Sequence, residues 1–494
     1  MKARKLISSI LVLTTLLLAA VSCGNTDKPG DTEAPAAATT EVIADVTTQD
    51  PTKDENGYLK DDLPETLNYN NKDFKIFTWE NQTIWEWSDS DETTGDIIKD
   101  SIYSRQLMVE QRMGVKFVIS EQNGDWDHRN SFIDAVYANV SAGGSDSFDL
   151  IGQYTPASAI GTVRGLYCNL VNIENLDLSK PWWPADITDS GTINGKVYAA
   201  AGDISCTLIR NMVCLMINLD LANDLQLEDV YTLVKNKQWT AEKFMTMGTG
   251  TVVGLNPDGS TCYTTTVPNN VVYDNIFYAG GFNFVDHTAD GIALSEDLTS
   301  TRMSDWFDLW CNFNSKEDVG MIGINAANGF TSGSVLFHFG AISDVQNYLQ
   351  DITFKFGILP YPMYDENQEN YATICGYWVT MYSIPTNAAD RSMSGAVLEC
   401  LGSEGYRTIT PAVYEVSFKY RFLNSQDNAD MFTLLHDTLS FDIGRTMGDQ
   451  INCFGAFRQV ATAGNSWSSY YKSQEKSWNK NIKNVLKAVD GFDE

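Results

Sequence analysis

Phe74-Lys75-Ile76-Phe77-Thr78-Trp79 opens a pattern that runs to Phe148-Asp149-Leu150-Ile151, and this pattern decides the fold. The first six residues alternate as a strand does when one face meets a core. Ile98, Ile102, Val109 and Met113 then fall on one helical face, and Gly114 supplies a C-terminal stop. Val115 to Ser120 reads as a second strand. Beyond the polar turn Asn123-Gly124-Asp125, a helix carries Phe132, Ile133, Val136 and Val140 on one side, breaks at Gly143-Gly144 and leads into the third strand. Strand, helix, strand, helix, strand predicts an α/β protein with a mainly parallel sheet and right-handed crossovers, whose ligands bind beyond the carboxyl ends of the strands. The residues past those ends are the first candidates: Trp79, Glu80 and Asn81 after the first strand, Tyr154 and Thr155 after the third.

Downstream, Asn194-Gly195-Lys196-Val197-Tyr198-Ala199 is a turn entering a strand, and Gly202-Asp203-Ile204-Ser205 interrupts it before the apolar run Met212 to Ile217. Two strands with a polar break between them can link separate bodies. Trp239-Thr240-Ala241-Glu242-Lys243-Phe244 starts a helix with Thr240 as N-cap. Met303 to Phe313 is helical, and Phe354 to Pro362 is a short strand ending in a proline turn. From Arg391 onward the chain reads as mostly helical, with Tyr414 and Phe418, then Ile482, Val485 and Leu486, at helical spacing.

The chain upstream of residue 65 is organised differently. Lys2, Arg4 and Lys5 precede a charge-free run from Leu6 to Ser22, short for a membrane span and suited to an export signal. It ends in Leu18-Ala19-Ala20-Val21-Ser22-Cys23, which resembles the lipobox of bacterial lipoproteins; the bland alternative is an ordinary signal peptide with an incidental Cys. The resemblance implies cleavage before Cys23 and diacylation of that residue. Residues 24–64 lack Trp, Phe, Cys and Met and read as a tether with a reach of roughly 35 Å. Together these features imply a lipid-anchored protein on the extracellular face of a bacterial cell membrane, with no other membrane contact.

The remaining composition narrows the function. The 494 residues include 12 Trp, 22 Tyr and 23 Phe, which excludes disorder over most of the length. With 34 basic against 64 acidic side chains and a formal charge of −30, attraction to nucleic acid or anionic lipid is disfavoured. Eight cysteines follow Cys23, namely Cys168, Cys206, Cys214, Cys262, Cys311, Cys375, Cys400 and Cys453. They form no CxxC pair or zinc spacing and read as buried thiols ahead of disulfides, so no metal or cofactor is implied. His128, His287, His338 and His436 are isolated and read as structural. Asp89, Asp91, Thr93 and Asp100 echo a calcium loop, but Gly95 falls one position late and an ordinary solvated loop is the simpler reading. HExxH, P-loop and GxSxG signatures are all missing from the sequence.

Several motifs occur in one order: the lipobox and acidic tether, the strand-helix opening, Asn194-Gly195-Lys196-Val197-Tyr198, Asn218-Leu219-Asp220-Leu221, Trp239-Thr240, Phe330 to Phe337, and Phe356-Gly357-Ile358-Leu359-Pro360-Tyr361-Pro362. Over roughly residues 66–440 this order resembles the family 1, carbohydrate-type extracellular solute-binding proteins of bacterial ABC importers, the group that includes maltose-binding protein. The resemblance implies a periplasmic-binding-protein type II-like fold, with two α/β lobes closing on a hinge over a ligand cleft. Lobe one would take 65–203 and 333–388, lobe two 204–332 and 389–494. It implies a monomeric, non-enzymatic binder that captures a mono- or oligosaccharide and delivers it to permease subunits of an ABC transporter. The alternatives are a binder of another small solute, such as a peptide or amino acid, and a surface-tethered glycoside hydrolase, which needs only two suitably spaced carboxylates.

A sugar offers weakly apolar C–H faces and a rim of hydroxyls, so its site needs aromatic platforms and polar partners. Trp79, Tyr154 and Trp378 are the expected platforms; Glu80, Asn81 and Asp203 are the expected polar contacts. Glu80 and Asp203 can equally cap turns. Trp182-Trp183 reads as core, and of Tyr377-Trp378 at most one can face a cleft, since neighbours on a strand point opposite ways.

Overall fold

β1 (Lys72–Trp79) forms where the apolar pattern places it, and the burial of Ile76 through Trp79 on both faces marks it as an interior strand. The computed structural model describes residues 50, 52–90, 92–144, 146–248, 263–267, 271–315, 320–322, 326–347, 349, 351–419 and 425–492. The other strands are β2 (Val115–Gln122), β3 (Leu150–Tyr154), β4 (Val213–Asn218), β5 (Tyr263–Val267), β6 (Val285–Thr288), β7 (Gly291–Leu294), β8 (Gly320–Ile322), β9 (Val335–Ala341), β10 (Phe356–Leu359) and β11 (Thr380–Ser383).

The first sheet has the order β11-β3-β1-β2. β1 runs parallel to β2 from Lys72↔Val115 to Trp79↔Gln122 and parallel to β3 from Ile76↔Leu150 to Thr78↔Gly152, as the strand-helix alternation requires. The helix Ile97–Met113 makes the first crossover; Asp96 caps it by accepting from Ile98 N and Lys99 N, and Gly114 ends it at φ 59°. The helix Arg129–Ala142 makes the second and buries Phe132, Ile133 and Val136. β3 starts two residues later than Phe148 because Asp149 is held beside β1, its carboxylate accepting from Lys75 N at 2.8 Å. β11 closes the sheet antiparallel, with Thr380 opposite Tyr154.

The second sheet has the order β10-β4-β9-β5-β8. Here the expected division of the chain needs correction. β9 pairs with β4 (Val213↔Ala341 to Ile217↔Phe337) and with β5, and β10 pairs with β4, so of the strands within 333–388 only β11 joins the first sheet. The helix Arg391–Lys419 also departs from expectation, since Met393, Val397, Cys400 and Leu401 share a core with Phe74, Val109 and Met113 of the first sheet and its helix. Buried runs such as Val335–Phe339, apolar but for His338, fit buried strands equally well in either sheet, which is why their pattern did not assign them.

Other elements agree with the sequence more closely. Thr240 caps the helix Ala241–Gly248 by accepting from Lys243 N at 3.3 Å. The helix expected over Met303 to Phe313 spans Thr301–Asn314. The strand expected after Asn194-Gly195 shrinks to two isolated bridges, Ile193↔Lys196 and Ala200↔Tyr382, although the turn itself forms with Asn194 and Gly195 at positive φ. Trp182 and Trp183 are core, the latter donating its indole N–H to Glu399 Oε2 at 3.0 Å. The tail ends in the helix Trp467–Asp490, which packs Trp467, Tyr471, Trp478, Ile482, Val485 and Val489 inward. Seven of the eight downstream cysteines are free thiols, and Cys262, like Cys23, lies outside the described residues. Among the described residues no helix is long and apolar enough to cross a membrane.

Candidate functional site

Three of the residues singled out by strand topology meet in one aromatic stack. Trp79 at the end of β1 and Tyr154 at the end of β3 have ring centroids 5.1 Å apart, and Trp378, two residues before β11, lies 5.6 Å from Trp79 and 6.0 Å from Tyr154. The Trp79 and Trp378 planes are 28° from parallel. Trp79 is wholly buried and donates its indole N–H to Thr380 Oγ1 at 2.9 Å, while Trp378 is 43% exposed. Trp378 therefore presents the open face, and Trp79 and Tyr154 back it. Burial pushes the Tyr154 phenol up to about 12, so it stays a neutral hydrogen-bonding group. A Cβ on Gly124 would meet Trp79 Cβ at 2.9 Å, so the turn after β2 needs glycine to let the indole seat.

The expected polar contacts do not all gather here. Asn81 is half-buried and accepts from Gly124 N at 3.0 Å, tying the end of β1 to the turn after β2. Glu80 is exposed and lines a groove of about 630 Å³ with Thr83, Ile84, Trp87, Ser88 and Glu121, beside the end of β2. Asp203 is wholly buried and faces His436, whose Nε2 lies 3.9 Å from its Oδ1. Asp203 thus serves as a buried counter-charge rather than a member of the aromatic group. Burial alone would depress the His436 imidazole, but the Asp203 carboxylate, helped by Asp437, outweighs it and raises the pKa above the usual histidine value.

Tyr377 and Trp378 point to different sides, and Tyr377 belongs to a second aromatic group. Its ring lies 4.8 Å from Phe454, which lies 4.6 Å from Trp126. Trp126 is 36% exposed, carries the Arg129 guanidinium 3.9 Å over its face, and Arg129 Nε contacts Asp449 Oδ2 at 2.9 Å. Arg445 sits 4.0 Å over the Tyr377 ring, only 8% exposed, with Nη1 lacking any partner. Arg445, Tyr377, Phe454 and Asp274 line a recess with room for about 20 Å³ of water-sized groups. Asp274 Oδ2 lies 3.5 Å from both Arg458 Nη1 and Tyr377 Oη, and burial raises its carboxyl against the pull of the two arginines. A recess with one free donor and one carboxylate matches a hydroxyl, which both accepts and donates.

Sequence reasoning missed Trp126, Arg129, Arg445 and Phe454. Trp126 lies four residues beyond the end of β2, out of reach of the strand-end rule that picks Trp79 and Tyr154. Arg445 and Phe454 carry no local signal, because they arrive from the helical tail through tertiary packing. Asn211, whose Nδ2 donates to the Trp378 carbonyl at 3.2 Å, belongs with them.

No protein-family model and no curated protein sequence matches the chain. Its structure is similar to that of the cyclic α-maltosyl-1,6-maltose binding protein of Arthrobacter globiformis, with a TM-score of 0.57 and 12% identity over 85% of this chain and 100% of that one. UgpB of Mycobacterium tuberculosis, solved in complex with glycerophosphocholine, gives a TM-score of 0.53 and 15% identity over 85% of this chain and 98% of that one. A family 1 extracellular solute-binding protein of Bifidobacterium longum subsp. infantis gives 0.51 and 12% over 84% and 100%. At such identities the likeness is one of fold, and by it the chain has the fold of the family 1 extracellular solute-binding proteins.

Proposed function

We propose that the protein is the substrate-binding lipoprotein of an ABC importer, capturing a carbohydrate between two α/β lobes and passing it unchanged to the permease. The observation that carries this reading is the open indole of Trp378, backed by two buried aromatics where strands of a parallel sheet end. Such a face suits the C–H face of a pyranose. Ligands of doubly wound sheets bind at this end of the strands. Sugar-binding proteins among the similar folds support the carbohydrate class. The likeness to a protein solved with glycerophosphocholine keeps a second small-solute class, a polar phosphodiester, in the screen.

In this reading the first sheet, with the start of the helix Arg391–Lys419, forms one lobe and the second sheet the other, hinged where the chain passes between them near Asp203 and before β11. The leader is removed and Cys23 carries the lipid; the tether runs from residue 24 to about 51 rather than to 64, because Asp61 pairs with Arg112 and Leu63 joins the core, and it holds a monomeric body near the permease on the outer face of the membrane. Titration calorimetry with a panel of neutral mono- and oligosaccharides tests the binding. Saturable heat from at least one, with the sugar recovered intact, supports the reading; cleavage of the sugar, or heat only from non-sugars, contradicts it.

A further inference from the structure

Beneath the aromatic stack lies a buried carboxyl that the binding reading does not use. Glu86 ends the short helix Thr83–Glu86 that follows β1, and it is wholly buried. Its Oε2 is hydrogen-bonded to Tyr382 Oη on β11, while Oε1 makes no hydrogen bond; the hydroxyls of Thr207, Thr380 and Ser205 lie close enough to act on its charge. Ser205 and Thr207 bond each other at 3.1 Å, and Thr380 N donates to Thr207 Oγ1 at 3.3 Å. Thr380 Oγ1 in turn accepts the indole N–H of Trp79 at 2.9 Å, and Trp79 is the ring on which Trp378 rests.

The charged and titratable groups around Glu86 are Arg105 from the helix Ile97–Met113, Cys206 and Arg210 from the crossover between the sheets, and Tyr382 from β11. Arg105 directs its guanidinium at the backbone carbonyls of Ile204, at 2.8 Å, and Glu86, and lies 4.8 Å over the Trp87 ring. Arg210 lies 3.5 Å over the Trp85 ring. Among the described residues, no cation pairs with the Glu86 carboxylate.

We propose that Glu86 is a positioning residue of the binding platform: its carboxyl ties the segment after β1 to β11 at Tyr382, and so holds in place the strand whose Thr380 fixes the Trp79 indole beneath Trp378. The consequence for solute rests on the function proposed above, whereas the positioning itself is measurable without solute. Burial raises the Glu86 pKa against the pull of the neighbouring hydroxyls, which favours the neutral acid. With its folded pKa raised, its contribution to stability is complete below the unfolded carboxylate range and is lost as pH rises through the folded value.

The test uses the near-UV circular dichroism of the stacked indoles, isolated as the difference between the protein and its Trp378→Phe variant. Glu86→Gln, which copies the neutral acid, should keep this signal while losing its pH response and the infrared C=O band of a protonated carboxyl. Glu86→Leu should lose the signal. Should that variant fail to fold, Tyr382→Phe, which removes only one hydroxyl, should weaken the signal in a folded protein. An unchanged signal in Glu86→Leu, or in Tyr382→Phe where Glu86→Leu does not fold, overturns the proposal, and so does a Glu86 carboxyl that titrates no higher than an ordinary glutamate. If the signal responds as expected but no saccharide binds, the positioning role stands and the carbohydrate reading falls.

Discussion

At the scale of single residues, exposure separates contact from support within one aromatic group. Trp378→Ala should leave the fold intact, because the side chain is 43% exposed, and should weaken sugar binding by on the order of 2 kcal/mol, roughly thirtyfold, as loss of an aromatic anchor does. Calorimetric titration beside the parent reads this directly. Trp79→Ala should instead lower the denaturation midpoint, at a cost of about 3–5 kcal/mol, since it empties a wholly buried site. Gly124→Ala should destabilise by about 1–3 kcal/mol through its clash with Trp79. The Asp203–His436 pair carries the clearest pH dependence. Because the folded His436 pKa is raised, its stabilisation is complete below the unfolded value of about 6.5 and disappears as pH rises through the folded value. Urea titrations across that window should show the parent losing an advantage over His436→Gln; equal slopes for both would contradict the pairing.

At the scale of elements, local chemistry was readable and long-range pairing was not. β1, β2 and the two crossover helices follow from periodicity and the stop Gly114, because each of those signals acts within a few residues; the N-cap Asp96 is equally local but went unread. Asp96→Ala should accordingly cost about 1 kcal/mol of stability, read from the shift in urea midpoint. The sheet to which β9 and β10 belong depended on hydrogen bonds to β4, more than 100 residues away, and an apolar strand records no partner in its own sequence. The same distinction runs through the site. Trp79, Tyr154 and Trp378 were legible as one group because strand ends are local, but burial makes Trp79 and Tyr154 supports rather than the expected open platforms; the Trp79–Thr380 bond and the approach of Arg445 and Phe454 join segments about 300 and 70 residues apart, and nothing local encodes them. Asp203 was misplaced for a related reason, since a polar break between apolar runs looks the same whether its carboxylate faces a solute or a buried imidazole.

At the scale of the whole molecule, anchorage and closure are separable from recognition. Cys23→Ala should leave uncleaved precursor or shed the protein from the membrane fraction, and normal lipid labelling of that variant would contradict the anchor. Two lobes around a solute should compact as binding saturates, by the difference in affinity of the open and closed forms. Small-angle scattering on the mature chain, recorded while a calorimetrically identified saccharide is titrated, tests capture and closure together. A radius of gyration that falls in step with occupancy, with the saccharide recovered unchanged, is the predicted result; an unchanged radius at saturation, or a cleaved sugar, would contradict a closing, non-enzymatic carbohydrate receptor.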